Sequence, residues 1–164
     1  MWIGVDVLHE DELSALLERP WFRAYAYAPA ELALAGDYGE ERAREFLTGR
    51  FAAKEAALKV IGTGVGSGVT PRQVAVLRTV LGAPVVRLSG AAAQRARERG
   101  IAGISVSITH KRGLVMAAAI GVPGRPAGTA GAVARGSSDT GPPAPGQQPV
   151  NIVITPVTRS GGDR

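Results

Sequence analysis

The chain contains no cysteine. That excludes a disulfide framework, a thiolate metal site and a cysteine nucleophile. Aromatic residues are scarce, at 5% of 164 residues. No apolar run approaches the roughly 20 residues of a membrane-spanning helix, and the N-terminus lacks a basic region followed by an apolar stretch. There are no internal repeats. The expectation is a soluble, cytoplasmic protein that does not engage membranes.

What is present is a hydrophobic fraction of 45%, enough for one globular domain with a core. The net charge is +5 and the isoelectric point about 10.2, a balance that attracts anionic partners. Lys and Arg alternate with Asp and Glu instead of forming a stripe, which argues against a nucleic-acid-binding surface. Phosphorylated ligands and acidic proteins remain as partners.

The chain is organised around Glu41–Gly66, ERAREFLTGRFAAKEAALKVIGTGVG. Its residues favour or tolerate a helix, and Gly62, Gly64 and Gly66 stop it. On a 3.6-residue period Leu47, Phe51, Glu55 and Leu58 share one stripe, apolar except for the carboxylate. A buried carboxylate needs an ion-pair partner or a metal. Lys59 lies one turn further on, so spacing alone reads Glu55 and Lys59 as a surface pair. Near the N-terminus, Trp2–Leu8 alternates as a strand, with Ile3, Val5 and Val7 on one side and Gly4 and Asp6 on the other. Asp6 reads either as a carboxylate capping the next helix or as a metal ligand.

Three motifs then occur in a characteristic order. Arg50–Gly66, RFAAKEAALKVIGTGVG, closely resembles the signature of the holo-acyl-carrier-protein synthases, the small phosphopantetheinyl transferases; WIGVDV at 2–7 and SVSITH at 105–110 resemble that family's other two. The resemblance spans residues 1–122. It implies an α+β fold in which a small antiparallel sheet wraps on one long helix. It also implies transfer of the 4'-phosphopantetheine arm of coenzyme A to a serine of an apo acyl carrier protein, with adenosine 3',5'-bisphosphate as the other product.

By this resemblance Asp6 and Glu55 are the Mg²⁺ ligands, and Glu55, or a water beside it, is the base for the incoming serine. Lys59 binds the pyrophosphate and offsets charge on the leaving group. Gly62, Thr63 and Gly64 form a loop that a ligand can approach closely. Arg50, Lys54, Thr109 and His110 serve the nucleotide end, where the bidentate fork of an arginine suits a phosphate. The resemblance further implies a homotrimer with active sites between subunits, and an acidic carrier met by a basic first helix. Here that helix departs from the pattern: HEDEL at 9–13 is acidic, His9 stands three after Asp6 where relatives carry an acid, and Arg19, Arg23 and Arg44 supply the positive charge. The carrier is therefore open, from fatty acid or polyketide biosynthesis. Ser105 and Ser107 have no acid–base partners at motif spacing, which excludes a serine hydrolase.

The remaining elements are read from local pattern. Glu10–Arg19 reads as a helix ended by Pro20, and Trp21, Phe22, Tyr25 and Tyr27 read as core aromatics at helical spacing. A helical turn follows Pro29. Val69–Val80 and Val85–Leu88 read as a hairpin, Ala91–Arg99 as a helix closed by Gly100, and Ile104–Thr109 and Leu114–Val122 as strands around the turn Lys111-Arg112-Gly113. Pro123–Arg164 carries 7 of the 11 prolines and 8 of the 22 glycines and reads as a largely disordered tail, with strand-like Val150–Val157 as an exception. A competing reading is a catalytically degenerate relative that only binds coenzyme A or a protein.

Overall fold

The computed structural model describes residues 1–64 and 68–124. The N-terminal run is strand β1 (Trp2–His9), followed by helices α1 (Ser14–Leu17), α2 (Pro20–Ala26) and α3 (Pro29–Gly36). Both α2 and α3 begin on a proline, whose missing N–H would have had no helical partner there. The long helix α4 (Glu40–Val60) comes next, then a 3-10 turn at Pro71–Gln73, the hairpin β2 (Val74–Arg78) and β3 (Pro84–Leu88), helix α5 (Gly90–Glu98), and strands β4 (Ile101–Lys111) and β5 (Leu114–Pro123).

Strands β1, β5 and β4 form an antiparallel sheet in that order, and β2 pairs with β3. Ala117 of the central strand lies between Asp6 of β1 and Ile108 of β4. Helix α4 crosses this sheet on small side chains. Ala52, Ala53, Ala56, Ala57 and Val60 are fully buried, as are Val115, Ala117 and Ala119 opposite them. Small residues on both sides bring the two backbones close. A second cluster joins α1–α3 to the N-terminal half of α4 through Leu13, Leu17, Phe22, Tyr27, Phe46 and Leu47.

Several boundaries differ from the sequence pattern for identifiable reasons. Glu10 still follows the sheet, its N–H bonded to Gly113 O in the β4–β5 turn at 2.9 Å, and α1 starts only at Ser14. The expected strand at Val69 starts only at Val74, because Pro71 opens the 3-10 turn before it. The β4–β5 turn has Arg112 and Gly113 both at positive φ, the backbone of a tight two-residue hairpin. Of the four clustered aromatics only Phe22 and Tyr27 enter the core; Trp21 is 63% exposed and Tyr25 lies at the surface. The apolar side of β1, with Ile3, Val5 and Val7, faces away from α4 and is exposed, as are Leu114 and Met116 of β5. Gly66 and the Val150–Val157 segment lie outside the described residues, as does the tail from 125 on. Among the described residues no helix is long and apolar enough to cross a membrane.

Candidate active site

The site begins with a missing side chain. A Cβ on Gly4 would run into the carbonyl oxygen of Ala56 and come within 3.1 Å of Lys59 Cβ. Glycine thus lets β1 lie directly on the C-terminal half of α4, and this contact places Asp6 beside the helix face carrying Glu55 and Lys59. The Lys59 ammonium donates to Asp6 Oδ1 at 2.9 Å and to Val5 O at 2.7 Å. The Glu55–Lys59 surface pair that spacing suggests is replaced by a link from the helix to the strand.

Glu55 is partly buried. Burial, and then the neighbouring Asp6 charge, push its carboxyl above the usual range, while Lys59 pulls it down. Asp6 Oδ2 and Glu55 Oε1 are both buried and have no hydrogen-bond partner. Two such oxygens, one from each carboxylate, are costly unless a cation sits between them. Among the described residues no cluster of three or more His, Asp or Glu side chains could hold a metal. Asp6 and Glu55 offer two carboxylates, and Mg²⁺ is an ion that takes one or two carboxylates and completes its shell with water and substrate phosphate.

Beyond Lys59, α4 ends in a paired closure. Gly62 N–H bonds to Lys59 O and Thr63 N–H to Leu58 O, each at 3.1 Å, with Gly62 at φ +68°. The guanidinium of Arg99, at the end of α5, packs on Gly62: its Cζ is 2.7 Å from where a Cβ would stand. Lys59 and Arg99 both flank a helix C-terminus, whose partial negative charge favours cations.

A second cationic feature lies toward the N-terminal half of α4. Arg50 and His110 line a cavity of about 170 Å³ together with Tyr38, Arg42, Glu45 and Arg78. The Arg50 guanidinium stacks over the Phe46 ring at 4.4 Å, and Arg78 lies over the same ring at 5.2 Å. Burial, and then the Arg78 charge, lower the Arg50 pKa to about 10. His110 packs against Gly49, its Nε2 3.1 Å from where a Cβ would be, and turns Nδ1 toward Glu45 at 3.5 Å. Arg50 and His110, both candidates for the nucleotide end, thus line one cavity. Thr109 is not part of it: strand alternation puts it opposite Met116 on the exposed face with Val7.

Lys54 requires a correction. It is fully buried, and its ammonium donates to Glu31 Oε2 (2.6 Å), Val74 O (2.6 Å) and Pro71 O (3.1 Å). An ammonium has three hydrogens, and all three are used. None is left for a nucleotide. Glu31 is equally occupied, accepting from Ala28 N and Val76 N as well. Lys54 is a structural residue that joins α4 to α3 and β2.

Residues 3–118 match the family model of the 4'-phosphopantetheinyl transferase superfamily. The holo-[acyl-carrier-protein] synthase of Halorhodospira halophila is 40% identical over 124 residues, covering 74% of this chain and 97% of that one. The chain belongs to the holo-[acyl-carrier-protein] synthase family. Among solved members of the family, the acyl carrier protein synthase of Plasmodium yoelii with ADP bound has a TM-score of 0.68 at 30% identity, covering 76% of this chain and 96% of that chain. The synthase–coenzyme A complex from Chronobacterium ammoniagenes has a TM-score of 0.64 at 26% identity, covering 75% and 97%.

Arg42 and Arg78 at the cavity, and Arg99 at Gly62, are cations that sequence reasoning did not single out. Arg78 and Arg99 reach their places only through the β2–β3 hairpin and the meeting of the ends of α4 and α5. No local pattern marks either. Arg42 shares a helix face with Glu45 and Phe46, and its spacing from Arg50 was the one available signal.

Proposed function

We propose that this chain moves 4'-phosphopantetheine from coenzyme A onto the acceptor serine of an apo acyl carrier protein of fatty acid or polyketide assembly, in the cytoplasm, releasing adenosine 3',5'-bisphosphate. The observation that carries the site assignment is the pair of unpartnered buried oxygens on Asp6 and Glu55 beside Lys59. These two carboxylates are the residues that would hold Mg²⁺. When bound there, the ion supplies charge neutralisation at the pyrophosphate. Glu55, or a water beside it, takes the proton from the serine hydroxyl. The serine oxygen then bonds to the β-phosphorus as the bond to the bridging oxygen breaks. Lys59 neutralises charge on the departing 5'-phosphate, and Gly62–Gly64 permits close backbone approach.

Arg50, His110, Arg42 and Arg78 form the pocket for the nucleotide end and its 3'-phosphate. Glu55 stands five positions after Arg50, which places them about 140° apart around α4. One subunit therefore presents its acidic pair and its cationic pocket in different directions. An assembly in which the pocket of one subunit faces the acidic pair of the next resolves this. The exposed apolar face of Ile3, Val5, Val7, Leu114 and Met116 supplies a surface for it. We assign that face to a homotrimer interface. The basic residues Arg19 and Arg23, beside exposed Trp21 and Tyr25, are the surface offered to the acidic carrier.

The test is mass spectrometry of an apo carrier protein incubated with the enzyme, coenzyme A and Mg²⁺. The carrier gains one phosphopantetheine group, and Glu55→Gln removes the gain while leaving the circular dichroism spectrum unchanged. No gain with fatty acid and polyketide carriers alike, under conditions where the Halorhodospira enzyme modifies its own, would point to coenzyme A binding without transfer.

A further inference from the structure

Lys59 stands where its place on the helix does not require it. An ordinary half-exposed lysine one turn after a glutamate extends into water or pairs with that glutamate. Here the ammonium crosses to β1 and holds Asp6 Oδ1 and Val5 O, while its side chain stays 50% exposed. The other oxygen of Asp6 and Oε1 of Glu55 remain buried and unpartnered. The ammonium is thus one positive charge set on one edge of a pair that carries two negative ones.

An ion held by Asp6 and Glu55 would share Asp6 with this ammonium. Two cations on one carboxylate repel, and the more highly charged one holds it more strongly. The lysine stem can carry the ammonium several ångströms without moving α4. Val5 O, a neutral acceptor, holds it only weakly by comparison. Once off Asp6, the ammonium needs an anion within reach of the same helix face, and the pyrophosphate is that anion.

We infer that Lys59 is an internal counter-ion of the Asp6–Glu55 pair which a divalent cation displaces, so that ion binding hands the ammonium to the substrate's pyrophosphate. This rests on the assignment of Asp6 and Glu55 as cation ligands. It makes Lys59 act with opposite sign in two states. In the free protein it competes with the ion. In the coenzyme complex it binds the phosphates that the ion also binds, and so supports the ion. Because coupling is reciprocal, the ion strengthens coenzyme A binding more when Lys59 is present than when it is absent.

The experiment measures Mn²⁺ affinity by electron paramagnetic resonance for the full chain and for Lys59→Met and Lys59→Arg, with and without coenzyme A and with no carrier protein. Lys59→Met is expected to bind Mn²⁺ on the order of tenfold more tightly than the parent without coenzyme A, and more weakly with it. Lys59→Arg stays near the parent in both. Lys59→Met binding Mn²⁺ as well as or less well than the parent without coenzyme A overturns the inference. Parent protein that binds no Mn²⁺, or binding that survives Asp6→Asn combined with Glu55→Gln, overturns instead the reading of the acidic pair. Lys59→Gln serves as a second neutral variant, and thermal unfolding confirms that each variant is folded.

Discussion

Gly4 of β1 and Ala56 of α4 meet with no room for a side chain: a Cβ on Gly4 would overlap the Ala56 carbonyl oxygen. This contact fixes how far the strand carrying Asp6 lies from the helix carrying Glu55. Gly4→Ala must push the two apart. Overpacking of this kind costs about 1–3 kcal/mol, and here it also separates the two carboxylates. The variant is expected to unfold at lower urea and to lose Mn²⁺ affinity. Gly36→Ala is the control, since a Cβ there meets nothing within 4 Å; it should be neutral or gain up to about 1 kcal/mol.

The buried Lys54–Glu31 pair gives a prediction opposite to the one its place in the motif suggests. Lys54→Met leaves Glu31 buried without its cation, a loss of roughly 3–5 kcal/mol. Urea unfolding should register this loss. At temperatures where the variant is folded, its KM for coenzyme A should be unchanged. A raised KM in a stable variant would show that Lys54 reaches the ligand after all.

Glu55 makes stability depend on pH and on divalent ions. Its carboxyl is raised above the ordinary value of 4.5, first by burial and then by Asp6. The folded protein therefore binds this proton more tightly than the unfolded chain. The resulting contribution is fully present below the ordinary value and is lost as pH rises through the folded one. In chelator, Glu55→Gln should raise Tm relative to the parent, by a margin that grows with pH and vanishes below the ordinary carboxylate range. Mg²⁺ should raise the Tm of the parent and not of the variant.

The exposed face of the sheet yields a prediction about assembly. Met116 lies between Val7 and Thr109, and both apolar side chains are exposed. Met116→Lys places a charge there without touching the core. By analytical ultracentrifugation the parent should sediment as a trimer and the variant as a monomer, with the circular dichroism of the two alike. The variant should lose transfer activity, because the cationic pocket and the acidic pair then belong to separate molecules. A monomeric, active parent would contradict this assembly.

The sequence made some of this legible and hid the rest for physical reasons. The long helix and the first strand could be read from their periodicity, whereas pattern alone favoured bland roles for Asp6 and Glu55 and only the order of the three motifs joined them. The fate of Lys54 could not. On the helix it follows Ala53 and precedes Glu55 like any motif lysine, and only the return of α3 and β2 supplies Glu31, Pro71 O and Val74 O. Periodicity paired Lys59 with Glu55 because it sees a single helix; the true partner is 53 residues away. Strand alternation correctly put Ile3, Val5 and Val7 on one side, but alternation does not say which side faces the helix. The bareness of Gly4 decides that.

In the proposed reaction Asp6 and Glu55 share one divalent cation that also binds the pyrophosphate of coenzyme A. Anomalous diffraction from crystals grown with coenzyme A and Mn²⁺ tests it most directly. The account predicts one peak per active site, bonded to both Asp6 and Glu55 and to pyrophosphate oxygens, with the Lys59 ammonium turned from Asp6 to phosphate. Ordered coenzyme A with no peak between the two carboxylates, or a peak held by other residues, would contradict it.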